Sequence, residues 1–120
     1  MLIAGIGCRR RCPADDIVAA IRQAECMAGC TVDAIAAPAF KRDEPGLHTA
    51  AATLDLPIHF IEQQALLGAQ PDCVTRSGVV QAATGLASVA EAAALAAIPF
   101  GRLVLPRITA GCATCAIAGS

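Results

Sequence analysis

Short apolar runs alternate with stretches of helical spacing along the chain. Leu2-Ile3-Ala4-Gly5-Ile6 is continuously apolar and closes at Gly7, which predicts a buried first strand. Pro13, Asp15 and Asp16 carry the proline and acids of a helix start. Ile17, Ala20, Ile21, Ala24 and Ala28 follow at helical spacing, and Gly29 supplies the stop. Val32 to Ala37, ended by Pro38, predicts a second strand. Pro45 opens a second helix through Leu54, and Pro57 to Ile61 predicts a third strand. The pattern then turns helical. A short turn covers Glu62 to Leu67, Asp72 to Thr75 reads as strand or loop, Ser77 to Ala83 as a short helix closed by Gly85, and Ser88 to Ala97 as a clear helix. Ser88 and Glu91 stand at capping-box spacing. Leu103 to Pro106 and Ala113 to Ala118 predict the last two strands. Too little chain separates them for a parallel crossover, so they form an antiparallel hairpin with Gly111 in its turn. The order βαβαβ, then helices and a hairpin, predicts a single α/β domain over residues 1–120. Its architecture is a three-layer α/β/α sandwich with a mixed, mostly parallel sheet and an antiparallel C-terminal hairpin.

Composition narrows the function. At 120 residues and 56% hydrophobic, the chain can bury a core without staples, and it is not a disordered tail. Three Phe and no Trp or Tyr argue against stacking platforms for single-stranded nucleic acid. A net charge of −1 argues against nucleic acid generally. No apolar stretch is long enough to span a membrane, and the basic run Arg9-Arg10-Arg11 follows the apolar N-terminus instead of preceding it, which is not an export signal. A cytoplasmic protein is expected. Seven cysteines, an odd count without an export signal, make structural disulfides unexpected and leave buried thiols or a metal or redox site.

Four groups of residues carry possible chemistry. Gly5-Ile6-Gly7-Cys8-Arg9-Arg10-Arg11 lies between the first strand and helix, where backbone amides and guanidinium groups can hold an oxyanion. It is no dinucleotide fingerprint, because Arg10 stands at the third glycine position. Lys41 to Glu44 follow the second strand. If the first two strands are parallel, both loops leave the same edge of the sheet, and Arg9, Arg10, Arg11, Lys41 and Arg42 converge on an acidic ligand. The plainer reading is that Asp43 and Glu44 neutralise their neighbours. Arg76-Ser77 and the stretch from Thr84 to Glu91 form the third group, with Ser88 and Glu91 as a capping box whose helix N-terminus is also open to a carboxylate. The fourth is thiol chemistry. Cys112 and Cys115 make one CxxC, two ligands short of a closed zinc site. His48 joins it only by chance of folding, and His59 reads as a satisfied core or edge histidine. Cys8, beside arginines and near a helix start, is placed for a lowered pKa and a nucleophilic role, though no His–acid pair accompanies it.

Three of these blocks, GIGCRRRCPADDIVAAI, APAFKRDEPGL and TGLASVAEAAALAA, with the closing RITAGCATCAIA, resemble the CobE family, which is also the C-terminal domain of CbiG proteins of cobalamin biosynthesis. The resemblance implies a three-layer α/β/α fold and a role in building the corrin ring. It implies a precorrin or corrinoid polycarboxylate as ligand, with another cobalamin-pathway enzyme as a further partner; no cofactor and no bound metal are expected. CbiG-like proteins open a ring lactone on a cobalt-precorrin and release acetaldehyde. A chain matching only their C-terminal part does not inherit that activity, and an accessory role in the aerobic route is the leading expectation. Lactone hydrolysis, or help with precorrin methylation and ring contraction, is the alternative. A small thiol or metal module and a generic anion-binding domain are rivals of another class. The family-like blocks contain Gly7, Cys8, Arg9, Arg10, Lys41, Glu44, Ser88 and Glu91, the expected substrate-binding residues. Arg9, Arg10 and Lys41 would pair ring carboxylates, and Glu44 or Glu91 would orient a cation or act as acid or base. Two departures stand out. Arg11 and Cys12 occupy what should be a glycine-containing turn. Cys112 and Cys115 occupy valine-like positions, which makes them buried apolar substitutes.

Overall fold

The five apolar runs become five strands of one sheet in the computed structural model, which describes residues 1–74 and 88–120. In chain order the elements are β1 (Leu2–Cys8), α1 (Ala14–Ala28), β2 (Ala34–Pro38), α2 (Pro45–Leu54), β3 (Ile58–Ile61), α3 (Gln63–Ala69), α4 (Val89–Ala96), β4 (Arg102–Ala110) and β5 (Ala113–Gly119). Short 3-10 turns cover Ala39–Lys41 and Gln70–Asp72. The expected helix from Ser77 to Ala83, with Arg76 and Gly85, lies outside the described residues.

The sheet order is β3-β2-β1-β5-β4. β1, β2 and β3 pair in parallel, and β5 lies antiparallel to both β1 and β4. Four strands therefore share one direction, and β5 alone is reversed. Helices cover both faces. α1 and α2 pack over Ile6, Ile35, Cys115 and Ile117 on one side, and α3 and α4 over Ile3, Ala34, Ala36 and Ala118 on the other. This is the expected α/β/α sandwich.

Most boundaries fall where the pattern puts them. Gly29 ends α1 at φ 69°, and Pro45 opens α2. β2 begins two residues later than expected, because Asp33 is engaged elsewhere. Its carboxylate accepts from the Leu2 amide at 2.8 Å. β4 continues past Pro106 to Ala110, so the hairpin turn is only Gly111 and Cys112. Proline is tolerated there because β4 is an edge strand, and the register shifts between Leu103 and Ile108. Gly111 sits at φ 58° against the Asp16 carboxylate, and both facts require glycine.

Two cysteine expectations are corrected. Cys12 and Cys112 form a disulfide across 100 residues. The cause is topological: β5 runs back along β1 with Cys8 opposite Ala113, which brings the hairpin turn to the loop after β1. Cys112 is thus a partly exposed, bridged residue and not a buried apolar substitute. Cys115 does match that expectation, fully buried opposite Ile6.

Candidate functional site

Parallel pairing places the ends of β1 and β2 side by side, and the two cationic loops leave the same edge of the sheet. In the first loop Arg9, Arg10 and Arg11 are all exposed. The Arg9 amide donates to the Cys112 carbonyl at 3.1 Å, and the Cys12 amide closes a turn onto the Arg9 carbonyl at 3.1 Å. Arg11 adopts φ 62° to complete that turn. The conformation accounts for the glycine expected at this point, since a left-handed residue costs least without a Cβ.

The second loop is fastened to the first. Glu44 Oε2 accepts from the Arg11 amide at 3.0 Å. Lys41 and Glu44 are half-buried, and both act electrostatically on the Cys8 thiol at the end of β1. Burial pushes that thiol up, the Lys41 ammonium pulls it down, and the Glu44 carboxylate pushes it up again; burial prevails. The expectation of an activated Cys8 nucleophile is therefore corrected. The neighbouring arginines are solvated, and the apolar packing of Cys8 sets its chemistry.

Arg42 points to a different partner. Its guanidinium meets Glu62 at 3.5 Å and lies 5.8 Å from the Phe60 ring centre, and His48 Nε2 holds the Arg42 carbonyl at 2.7 Å. So Arg9, Arg10, Arg11 and Lys41 share the β1–β2 end, while Arg42 turns toward β3. His59 lies exposed on β3, an edge strand.

Gly7, Ser88 and Glu91 lie where the end of β1 meets the start of α4. A Cβ on Gly7 would lie 2.6 Å from Thr114 Oγ1 and at ordinary contact distance, 3.7 Å, from Val89 Cβ, so glycine here makes room for the Thr114 hydroxyl. Ser88 and Glu91 are fully buried. Ser88 Oγ accepts from the Glu91 amide at 3.4 Å, one half of a capping box. The Glu91 carboxylate accepts instead from the Val74 and Arg107 amides, each at 2.9 Å. That ties α4 to the chain after α3 and to β4.

Cys12, Asp16 and Cys112 offer metal-ligand atoms within 4.8 Å of one another, but both sulfurs are committed to the bridge and leave a single carboxylate. No helix among the described residues is long and apolar enough to cross a membrane.

The family model described as "Cobalamin synthesis G C-terminus" matches residues 2–118. The chain belongs to this CobE/CbiG C-terminal family. Protein CobE of a Sinorhizobium species is 32% identical over 124 residues, covering 98% of this chain and 79% of that protein. The crystal structure of CobE, a protein of the cobalamin biosynthetic pathway, superposes with TM-score 0.91 at 37% identity over 98% of this chain and 89% of that one. Cobalamin biosynthesis protein chiG from Agrobacterium tumefaciens does so with TM-score 0.83 at 39% identity, covering 100% and 98%. A putative cobalamin biosynthesis protein G homologue from Sulfolobus solfataricus shares the fold alone, at 16% identity and TM-score 0.71 over 98% of this chain and 36% of that one. This CobE/CbiG C-terminal domain is a protein of cobalamin biosynthesis.

Within this family member, sequence reasoning missed the Cys12–Cys112 bridge, Asp16 beneath it, and Thr114, whose hydroxyl donates to the Gly7 carbonyl at 3.2 Å. A signal for the bridge existed. Cys12 and Cys112 each stand beside a predicted turn, but pairing them requires knowing that the last strand lies next to the first.

Proposed function

We propose that the β1–β2 edge binds a corrinoid or precorrin polycarboxylate, in an accessory role to another enzyme of the pathway. The observation that carries this reading is the Arg11–Glu44 contact, which fastens two cationic loops together at the carboxyl ends of adjacent parallel strands. Arg9, Arg10 and Lys41 supply cations there on a chain whose net charge is −1. A ring bearing several acetate and propionate groups suits such a rim. Gly7, Cys8 and Glu44 shape its floor and hold the loops. Ser88 and Glu91 are positioning residues, because their polar atoms are engaged inside the protein.

An absorbance titration with hydrogenobyrinic acid, the metal-free corrin, at two salt concentrations tests the reading. Saturable binding that weakens with salt is expected. Combined Arg9→Ala and Lys41→Ala should weaken it about 30-fold or more, since charge-assisted hydrogen bonds contribute ~1.5–3 kcal/mol each. Unchanged affinity in the double variant rules out the convergent-loop site. Equal competition by inorganic phosphate would indicate a generic anion site. Acetaldehyde release from a cobalt-precorrin lactone would make the protein a hydrolase.

A further inference from the structure

We propose that Cys12–Cys112 is a thiol-exchange site for a small anionic thiol, and that its state sets the conformation of the Arg9–Arg11 loop. The proposal rests on the reading above only where it concerns ligand affinity.

Three ties join this loop to the hairpin turn or close it on itself. They are the Arg9 amide on the Cys112 carbonyl, the Cys12 amide on the Arg9 carbonyl, and the disulfide. The first two are hydrogen bonds beside exposed residues and open readily. The bridge alone is covalent. It anchors Cys12, the residue directly after Arg11, whose φ of 62° is unfavourable for a side-chain-bearing residue. Breaking it leaves the Arg11 amide on Glu44 as the remaining tie to the second loop, so the Arg9–Cys12 turn loosens and the guanidinium groups of Arg9 and Arg10 disperse.

The two sulfurs differ in a way that directs exchange. Cys12 is 4% exposed, whereas Cys112 is partly open at the tip of the hairpin. An incoming thiolate therefore attacks Cys112 Sγ. Burial opposes the departure of Cys12 as a thiolate, and its place directly before Pro13, the N-cap of α1, offsets part of that cost through the helix dipole. Asp15 and Asp16 in the first turn of α1 oppose this in part. On the other side, Asp16 Oδ2 lies 3.2 Å from Cys112 Sγ and accepts from the Cys112 amide at 3.2 Å. That carboxylate is already placed to accept the S–H of a released Cys112. The exposed arginines draw an anionic thiol such as glutathione to the spot.

One glutathione thiolate bonds to Cys112 Sγ, the Cys12–Cys112 bond breaks, and Cys12 takes up a proton. A second glutathione attacks the mixed disulfide, leaving oxidised glutathione and the Cys112 thiol. Two electrons pass from two glutathiones to the bridge.

Protein lysed and alkylated under denaturing conditions should carry five blocked thiols, and seven after prior incubation of the folded protein with glutathione. The transient glutathione adduct should map to Cys112. Hydrogen exchange at the Arg9–Cys12 amides should become about tenfold faster on reduction. The combined variant Cys12→Ala and Cys112→Ala should match the reduced protein, and reduced wild type serves if the variant does not fold. Hydrogenobyrinic acid should bind the reduced form about fivefold more weakly, the scale of ordering a loop. Seven thiols blocked at lysis, an adduct on Cys12, or loop exchange unchanged by reduction would each overturn the proposal. If no corrin binds in either state while exchange still responds to glutathione, the ligand reading fails and the exchange site stands.

Discussion

Glu91 fastens α4 to two other segments of the chain. It is fully buried, and its two carboxylate oxygens serve amides from two other segments. Glu91→Ala removes both acceptors and should lower stability by about 3 kcal/mol in urea unfolding, while Glu91→Gln, which keeps one acceptor, should cost roughly half as much. From sequence, Ser88 and Glu91 read as a capping box. The spacing showed Ser88 correctly and left the destination of the Glu91 carboxylate open, because Val74 and Arg107 come from distant parts of the chain. Cys8 makes the same point. Adjacent arginines pointed to an activated thiol, and burial decides otherwise. At pH 8, iodoacetamide should label Cys8 at least about tenfold more slowly than the exposed Cys26.

Among the elements, β1 and α4 set the geometry of the candidate site. Gly5 and Gly7 read in sequence as parts of an oxyanion loop. Both lie in β1 and face α4. At Gly5 a Cβ would collide with the Ala90 carbonyl and sit 2.6 Å from the Ala94 amide, so an alanine-rich helix lies directly on the strand backbone. Gly5→Ala should therefore cost about 3 kcal/mol and shift α4. Near-UV spectra carry little signal in a chain without Trp or Tyr, so the urea midpoint is the measurement to make. The strands and helices of the first half were legible because apolar runs, prolines and Gly29 mark them locally. The length of β4 was not, since Pro106 argues for a stop and only its edge position permits the strand to continue.

For the whole molecule, the bridge closes a 100-residue loop. On chain-entropy grounds its reduction should lower unfolding free energy by about 4.7 kcal/mol, read as the difference in urea stability with and without reductant. Alkali acts by another route. Burial, with Glu25 adding to it, pushes the Cys115 thiol from 9.0 up to about 12. The folded state thus holds this proton more tightly than the unfolded chain. The stabilisation is complete below pH 9 and disappears as pH rises toward 12. Cys115→Ala should flatten the loss of stability over that window.

β1 and β5 pair along their whole length, from Leu2 opposite Gly119 to Cys8 opposite Ala113, and the Ser120 amide reaches the Met1 carbonyl at 3.4 Å. During translation, β1 emerges before the other four strands, and more than 100 residues separate it from β5, the neighbour with which it pairs along its whole length. Until β5 emerges, one edge of the nascent sheet is open to pairing with other chains. Because residues 1 and 120 end side by side, a circular permutant that joins them by a short linker and opens at the exposed Gly29 should keep the fold. It would let the two central strands emerge from the ribosome consecutively.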